Sequence, residues 1–155
     1  MIWWCNQSEC WQQERQAGVV CSSETQNNTY RRTVGNAQLG DITVHYCRPY
    51  IVAFSQAIEH GSHFDQLPSV AGVNYESGWR FETEYWDLQN RIHRDDFRQE
   101  LILPNRPTYY PITMAGNVMQ GYFFPFDDAG LRIVLNHLHV QDQEGIPEWL
   151  RGLVQ

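Results

Sequence analysis

The chain has 155 residues, a length that fits one domain with one core. Hydrophobic residues make up 42% and charged residues 19%, values that exclude a disordered tail. The net charge of −7 argues against broad duplex binding, which needs a positive field; yet all 11 cations are arginine, whose fork suits phosphate and stacks on bases.

No apolar run reaches the roughly 18 residues of a membrane span. Residues 1–6 have neither the basic start nor the long apolar stretch of a signal peptide. A cytoplasmic chain with no membrane partner is therefore expected, its Cys5, Cys10, Cys21 and Cys47 as reduced thiols. None of the four stands in a CxxC pair, so neither a zinc site nor another cofactor is expected.

In chain order, residues 1–5 read as a buried strand and 8–17 as a short helix, with Ser8 as N-cap and Gly18 as stop. Val19 to Cys21 reads as a second strand. Residues 22–39 are polar, with a helical turn near Arg31. Asp41 to Tyr46 and Ile51 to Ile58 form the clearest hairpin, turning at Arg48-Pro49-Tyr50. Residues 59–78 form a long loop. Trp79 to Leu88 alternates as a strand whose buried face changes near Tyr85. Arg94 to Leu103 is an amphipathic helix ending before Pro104. Residues 104–117 are loop, and 121–125 a last strand. Asp127 or Asp128 caps a helix running through His139. The expected class is α+β: a curved, mainly antiparallel sheet or pseudo-barrel with flanking helices over residues 1–140, then a linker or C-terminal docking segment over 141–155.

The chemistry-bearing groups are sparse. His60, His63 and Asp65 sit close enough in sequence to offer three metal ligands, which keeps open a small metal-dependent hydrolase or RNA-processing protein. His137 and His139 near a helix end complement its dipole. Cys21-Ser22-Ser23 has no identifiable base, and no GxSxG elbow or phosphate-cradling glycine loop occurs. Adjacent acids such as Asp95-Asp96 point apart on a helix and make poor acid/base pairs. A binding module, not an enzyme, is expected.

A set of segments in order carries more. Ile2-Trp3-Trp4-Cys5-Asn6-Gln7-Ser8 is followed by Gly18-Val19-Val20-Cys21-Ser22, then Gly40 to Tyr46 running into Tyr50 to Ser55. Gly78 to Tyr85 and Asn117 to Pro125 complete it. This set, spanning roughly residues 2–138, resembles the EVE-like and YTH-like branch of the PUA superfamily, and especially the reader modules of modification-dependent restriction endonucleases. The resemblance implies a pocket for one flipped, modified base: 5-methylcytosine or 5-hydroxymethylcytosine in DNA, or alternatively N6-methyladenine, in DNA or RNA. A fused or associated nuclease would supply any cleavage. By position, Asn6 and Gln7 match pocket-lining polar residues, and Cys21 and Ser22 a strand end that carries a pocket Trp in relatives. That Trp is absent here, leaving Trp11, His45, Tyr46, Phe64, Tyr75 and Trp79 as pocket aromatics; Tyr46 reads equally as a hairpin core residue. Arg31, Arg32 and Arg48 are candidate phosphate contacts, or solvated surface arginines.

Overall fold

A computed structural model of the chain describes residues 1–8, 10–24, 32–65, 77–107 and 109–154. Among the described residues, seven strands form one strongly curled half-barrel sheet, and five short α-helices flank it: an α+β architecture. The strands are β1 (Ile2–Asn6), β2 (Val19–Ser23), β3 (Ile42–Cys47), β4 (Tyr50–Ala57), β5 (Ser62–Phe64), β6 (Gly78–His93) and β7 (Phe123–Phe126). Their order is β2-β6-β4-β3-β1-β7, with β5 also on β6. All pairings are antiparallel except β1 with β3, which run parallel with Cys5 opposite His45 and Asn6 opposite Tyr46.

β1 lies between β3 and β7 and is covered on both faces, which is why its sequence is a continuous apolar run. Trp3 and Trp4 point to opposite faces, as alternation requires, and both are core. Trp3 stacks on Phe123 inside the curl at 4.7 Å between centroids. Trp4 packs on the other face against Tyr46, Phe97 and Phe126. Each indole has an acceptor: Trp3 donates to Asp41 at 2.8 Å and Trp4 to Asn6 at 2.7 Å. The sheet thus separates an inner core (Trp3, Cys5, Val20, Phe81, Phe123) from a larger outer core under the helices.

β6 serves both. Up to Thr83 its odd positions face inward, with Phe81 and Thr83 buried and Trp79 partly buried against the inner core; beyond Tyr85, Trp86, Leu88 and Ile92 pack against the outer core. The change of face expected near Tyr85 is therefore present. A bulge follows it, since Ala53 faces Asp87 while Ile51, two residues away, faces Ile92.

The helices are shorter than the sequence pattern predicts. α1 spans Trp11–Ala17, and its N-cap is Cys10, not Ser8; Gly18 ends it in the left-handed region at φ 69° as expected. α2 covers only Arg94–Phe97. Phe97 and Leu101 both reach the core, but past α2 the main chain bonds three residues back (Glu100 to Phe97, Leu101 to Arg98) and the ladder becomes tight turns. α3 (Asp128–Leu135) is capped by Asp127, which accepts from Gly130 at 2.7 Å. It stops before His139, which instead caps α4 (Val140–Glu144). α5 spans Glu148–Arg151, and Ile146 and Leu150 are buried in the outer core. No helix of the described residues is long and apolar enough to cross a membrane.

Candidate functional site

The parallel register of β1 and β3 decides where the expected site residues go. Neighbouring positions face opposite sides, so Gln7 and His45 meet inside the curl while Asn6 and Tyr46 meet on the outer side. The structure divides the site residues into three groups.

The inner group is a buried hydrogen-bonded network. Gln7 and Glu14 are each 2% exposed. Gln7 Nε2 donates to Glu14 Oε2 and to Tyr85 Oη, both at 3.1 Å. Its amide oxygen is left to accept, so His45 Nδ1 carries the proton between them and His45 Nε2 accepts from Ser55 Oγ at 2.7 Å. The Tyr85 hydroxyl in turn donates to Val19 O at 2.7 Å. Glu14 Oε1 receives Cys21 N–H at 2.8 Å and the Tyr122 hydroxyl. Burial drives the His45 pKa from its ordinary 6.5 to about 3, helped by the Arg15 charge, so the ring is neutral, as its two hydrogen bonds require. Burial first, and then the Glu14 charge, pushes the Tyr85 phenol well above its ordinary range; burial does the same for Tyr122.

Trp11 borders this network. Its half-buried indole lies 5.9 Å from the His45 ring and 5.5 Å, edge-on, from Tyr85, whose ring is 4.5 Å from His45. Arg15 lies over Tyr85 at 5.3 Å. Glu14 and Arg15 follow Trp11 at the i+3 and i+4 spacing that shares a helix face. Glu14, Ser55, Tyr85 and Tyr122 were not singled out from sequence. The i+3 spacing from Trp11 was the available signal for Glu14; the change of face in β6 was that for Tyr85.

The outer group lines a cleft of about 420 Å³ with Asn6, Ser8, Tyr46, Arg48, Arg94 and the segment 117–121. Asn6 Nδ2 donates to Met119 O at 3.0 Å and Gly121 O at 2.8 Å, while its oxygen takes the Trp4 indole, so Asn6 ties this segment to β1. The third group sits where β5 meets β6. Trp79 lies edge-on to His63 at 5.5 Å, and Arg80 over Phe64 at 5.3 Å. Cys21 and Ser22 are buried on β2. Arg32 is exposed. Tyr75 and Arg31 lie outside the described residues.

The His60–Asp65 loop does not gather as a metal site. His60 Nδ1 accepts from Leu39 N–H at 3.2 Å, His63 Nε2 meets Glu24 at 2.9 Å, and Asp65 is 3.9 Å from the other His63 nitrogen. Among the described residues no three His, Cys, Asp or Glu side chains converge to hold a metal. His60 is instead spent on the β3-side turn, and His63 on a surface hydrogen bond to Glu24.

No family model matches the sequence, and no curated protein matches it. Solved structures do. A protein from Pseudomonas syringae matches with a TM-score of 0.57 at 10% identity, over 88% of this chain and 98% of its own. One from Pseudomonas putida matches with a TM-score of 0.54 at 12% identity, over 88% and 98%. The YTH domain of the Zygosaccharomyces rouxii MRB1 protein, solved in complex with N6-methyladenosine RNA, matches with a TM-score of 0.54 at 12% identity, over 90% and 89%. At these identities the likeness is one of fold: the chain, with its curled half-barrel sheet, is a structural neighbour of a YTH domain.

Proposed function

We propose that this chain is a non-enzymatic module that binds nucleic acid carrying a modified base. The observation that carries this reading is the half-buried Trp11 in ring contact with His45 and Tyr85 of the His45–Gln7–Glu14–Tyr85 network. A flipped base needs a stacking face and a polar edge reader, and repays an unstacking cost of a few kcal/mol, roughly, through both. Stacking on one aromatic contributes about 1–3 kcal/mol. Beside the indole, the Gln7 amide carries both donor and acceptor for a base edge. Base entry exchanges the bond from Gln7 to Tyr85 for one to the base, and Tyr85 keeps its bond to Val19 O.

Cytosine and adenine both present an exocyclic amine beside a ring acceptor. The ordered sequence segments favour 5-methylcytosine or 5-hydroxymethylcytosine in DNA. The fold shared with a YTH domain bound to N6-methyladenosine RNA favours N6-methyladenine as the second reading. The test is a titration with matched DNA and RNA oligonucleotides carrying cytosine, 5-methylcytosine, 5-hydroxymethylcytosine, adenine or N6-methyladenine. Tighter binding of one modified strand than of its plain counterpart names the base. Equal affinity across the set removes the reader reading.

A further inference from the structure

The outer cleft contains a feature that the network does not use. Tyr46 is 2% exposed, and its hydroxyl is buried without a hydrogen bond of ordinary geometry. Arg94 Nε is in the same condition. Both side chains line the cleft, together with the exposed Arg48. Arg94 bears on the Tyr46 oxygen, but the Tyr46 O–H itself has no acceptor; a buried donor left unmade costs about 1–3 kcal/mol, which calls for an acceptor that arrives from outside. Burial raises the Tyr46 pKa, while a hydrogen bond from Arg94 and then the Arg94 and Arg48 charges pull it back: the hydroxyl stays protonated and lies in the field of both cations.

The available counter-charge is small. Arg94 Nε is 3.9 Å from Asp95 Oδ1, too far for a hydrogen bond, and that same oxygen is engaged by Arg98 at 3.0 Å. Among the described residues no carboxylate lies within ion-pair distance of Arg48, whose main-chain N–H is held by Ser8 Oγ at 3.4 Å. Two under-used guanidinium groups and a phenol hydroxyl are all donors. The ligand they suit is a compact, acceptor-only anion with oxygens on several sides, which describes a phosphate group.

We propose that this cleft is a phosphate site, with Arg48 and Arg94 as its cations and Tyr46 Oη as a directional donor. The source of the phosphate, a backbone phosphodiester of the bound strand, rests on the reader reading above. Ser8 lines the cleft two residues before Cys10, the N-cap of the helix that carries Trp11. The β1–α1 connection therefore joins this opening to the helix that carries Trp11, and the proposal takes the bound strand across that connection. The other source is a free phosphate, which the same donors would take.

The experiment uses a short unmodified single-stranded oligonucleotide and inorganic phosphate as separate probes on the full chain. Wild type is compared with Arg48→Ala, Arg94→Ala, the double variant and Tyr46→Phe, each checked for an unchanged far-UV spectrum. Arg48 is exposed, so its variant keeps the test valid should Tyr46→Phe fold poorly. Loss of roughly tenfold or more in oligonucleotide affinity for the double variant is expected. The slope of log affinity against log salt should also become shallower by about 0.7 per lost contact. Phosphate-induced shifts of residues 46–48 and 117–121 by NMR in wild type, absent in the double variant and unaccompanied by oligonucleotide binding, support the site with free phosphate as its source. Oligonucleotide affinity indifferent to both arginines, or no response to either probe, overturns it. Arginine-dependent binding without preference for a modified base would keep the phosphate site while removing the reader reading.

Discussion

His45 and Gln7 face one another inside the curl because β1 and β3 run parallel in a register that sets Cys5 opposite His45, and the imidazole Nδ1–H points at Gln7 Oε1. That bond requires a neutral ring, and burial holds the His45 pKa near 3. The unfolded chain has the ordinary value near 6.5, so the folded pKa is depressed. The unfolded state then binds the extra proton first. The stability this neutrality provides is complete above about pH 6.5 and is lost as pH falls toward 3. At pH 4.5 the loss from this one group is about 2–3 kcal/mol. Urea titrations at pH 7 and 4.5 should show a smaller pH-induced fall in stability for His45→Gln than for wild type, although the variant starts lower. An equal fall in both would mean that His45 is not the acid-sensitive group.

Glu14 binds three donors from three parts of the chain: the Gln7 amide, Cys21 N–H and the Tyr122 hydroxyl. Glu14→Ala leaves these buried donors unmatched, and the expected destabilisation is about 2–4 kcal/mol. Glu14→Gln turns an amine toward the Gln7 amine and should cost about 1–3 kcal/mol. Tyr122→Phe removes a donor and leaves a carboxylate that still has two others, so its cost should be the smallest of the three. Chemical denaturation orders them. A Glu14→Ala variant as stable as wild type would show that the carboxylate is not anchored here.

Most strands were legible because alternation and apolar runs report burial directly: β1, the β3–β4 hairpin and the face change at Tyr85 appear where the pattern places them, whereas the short, largely exposed β5 falls in the segment 59–78 that reads as loop. Helix lengths were less legible. The Phe97–Leu101 spacing is a true core spacing, but it does not reveal that the hydrogen bonds shift to three-residue turns between them. The site was legible as residue types and not as a partition. Asn6 and Gln7 are adjacent in sequence, yet strand geometry assigns one to the outer cleft and the other to the inner network. Glu14 was hidden because a glutamate in a polar helix reads as solvated until β2 and Tyr122 close over it.

Asp142 accepts the main-chain N–H groups of Gln89 at 2.8 Å and Asn90 at 2.9 Å, at the bulged part of β6. These amides sit where β6 leaves its pairing with β4, so a side chain from α4 takes the place of a strand partner. Asp142→Ala should cost about 1–3 kcal/mol and speed hydrogen exchange at Gln89 and Asn90 before the rest of β6. Asp142→Asn, which keeps one acceptor oxygen, should show about half the effect. Unchanged exchange at those two amides would mean that α4 does not hold the bulge.

Trp11 is the group on which the binding reading depends most directly. Its indole is half-buried, and among the described residues it meets the network through ring contacts with His45 and Tyr85. Trp11→Ala should therefore cost about 1 kcal/mol of stability. Affinity for the preferred modified strand should fall by roughly 10- to 100-fold, the equivalent of about 1–3 kcal/mol of lost stacking. Trp11→Phe keeps a smaller aromatic face and should retain most of the affinity. Arg48→Ala weakens plain and modified strands alike, whereas Trp11→Ala should reduce the ratio between them, because only the stacked base carries the modification. The measurement is that ratio for wild type and both variants at one salt concentration. A ratio unchanged by Trp11→Ala would place the stacking face elsewhere, and the aromatic pair Trp79 and Phe64 at the β5–β6 end would be the next to mutate.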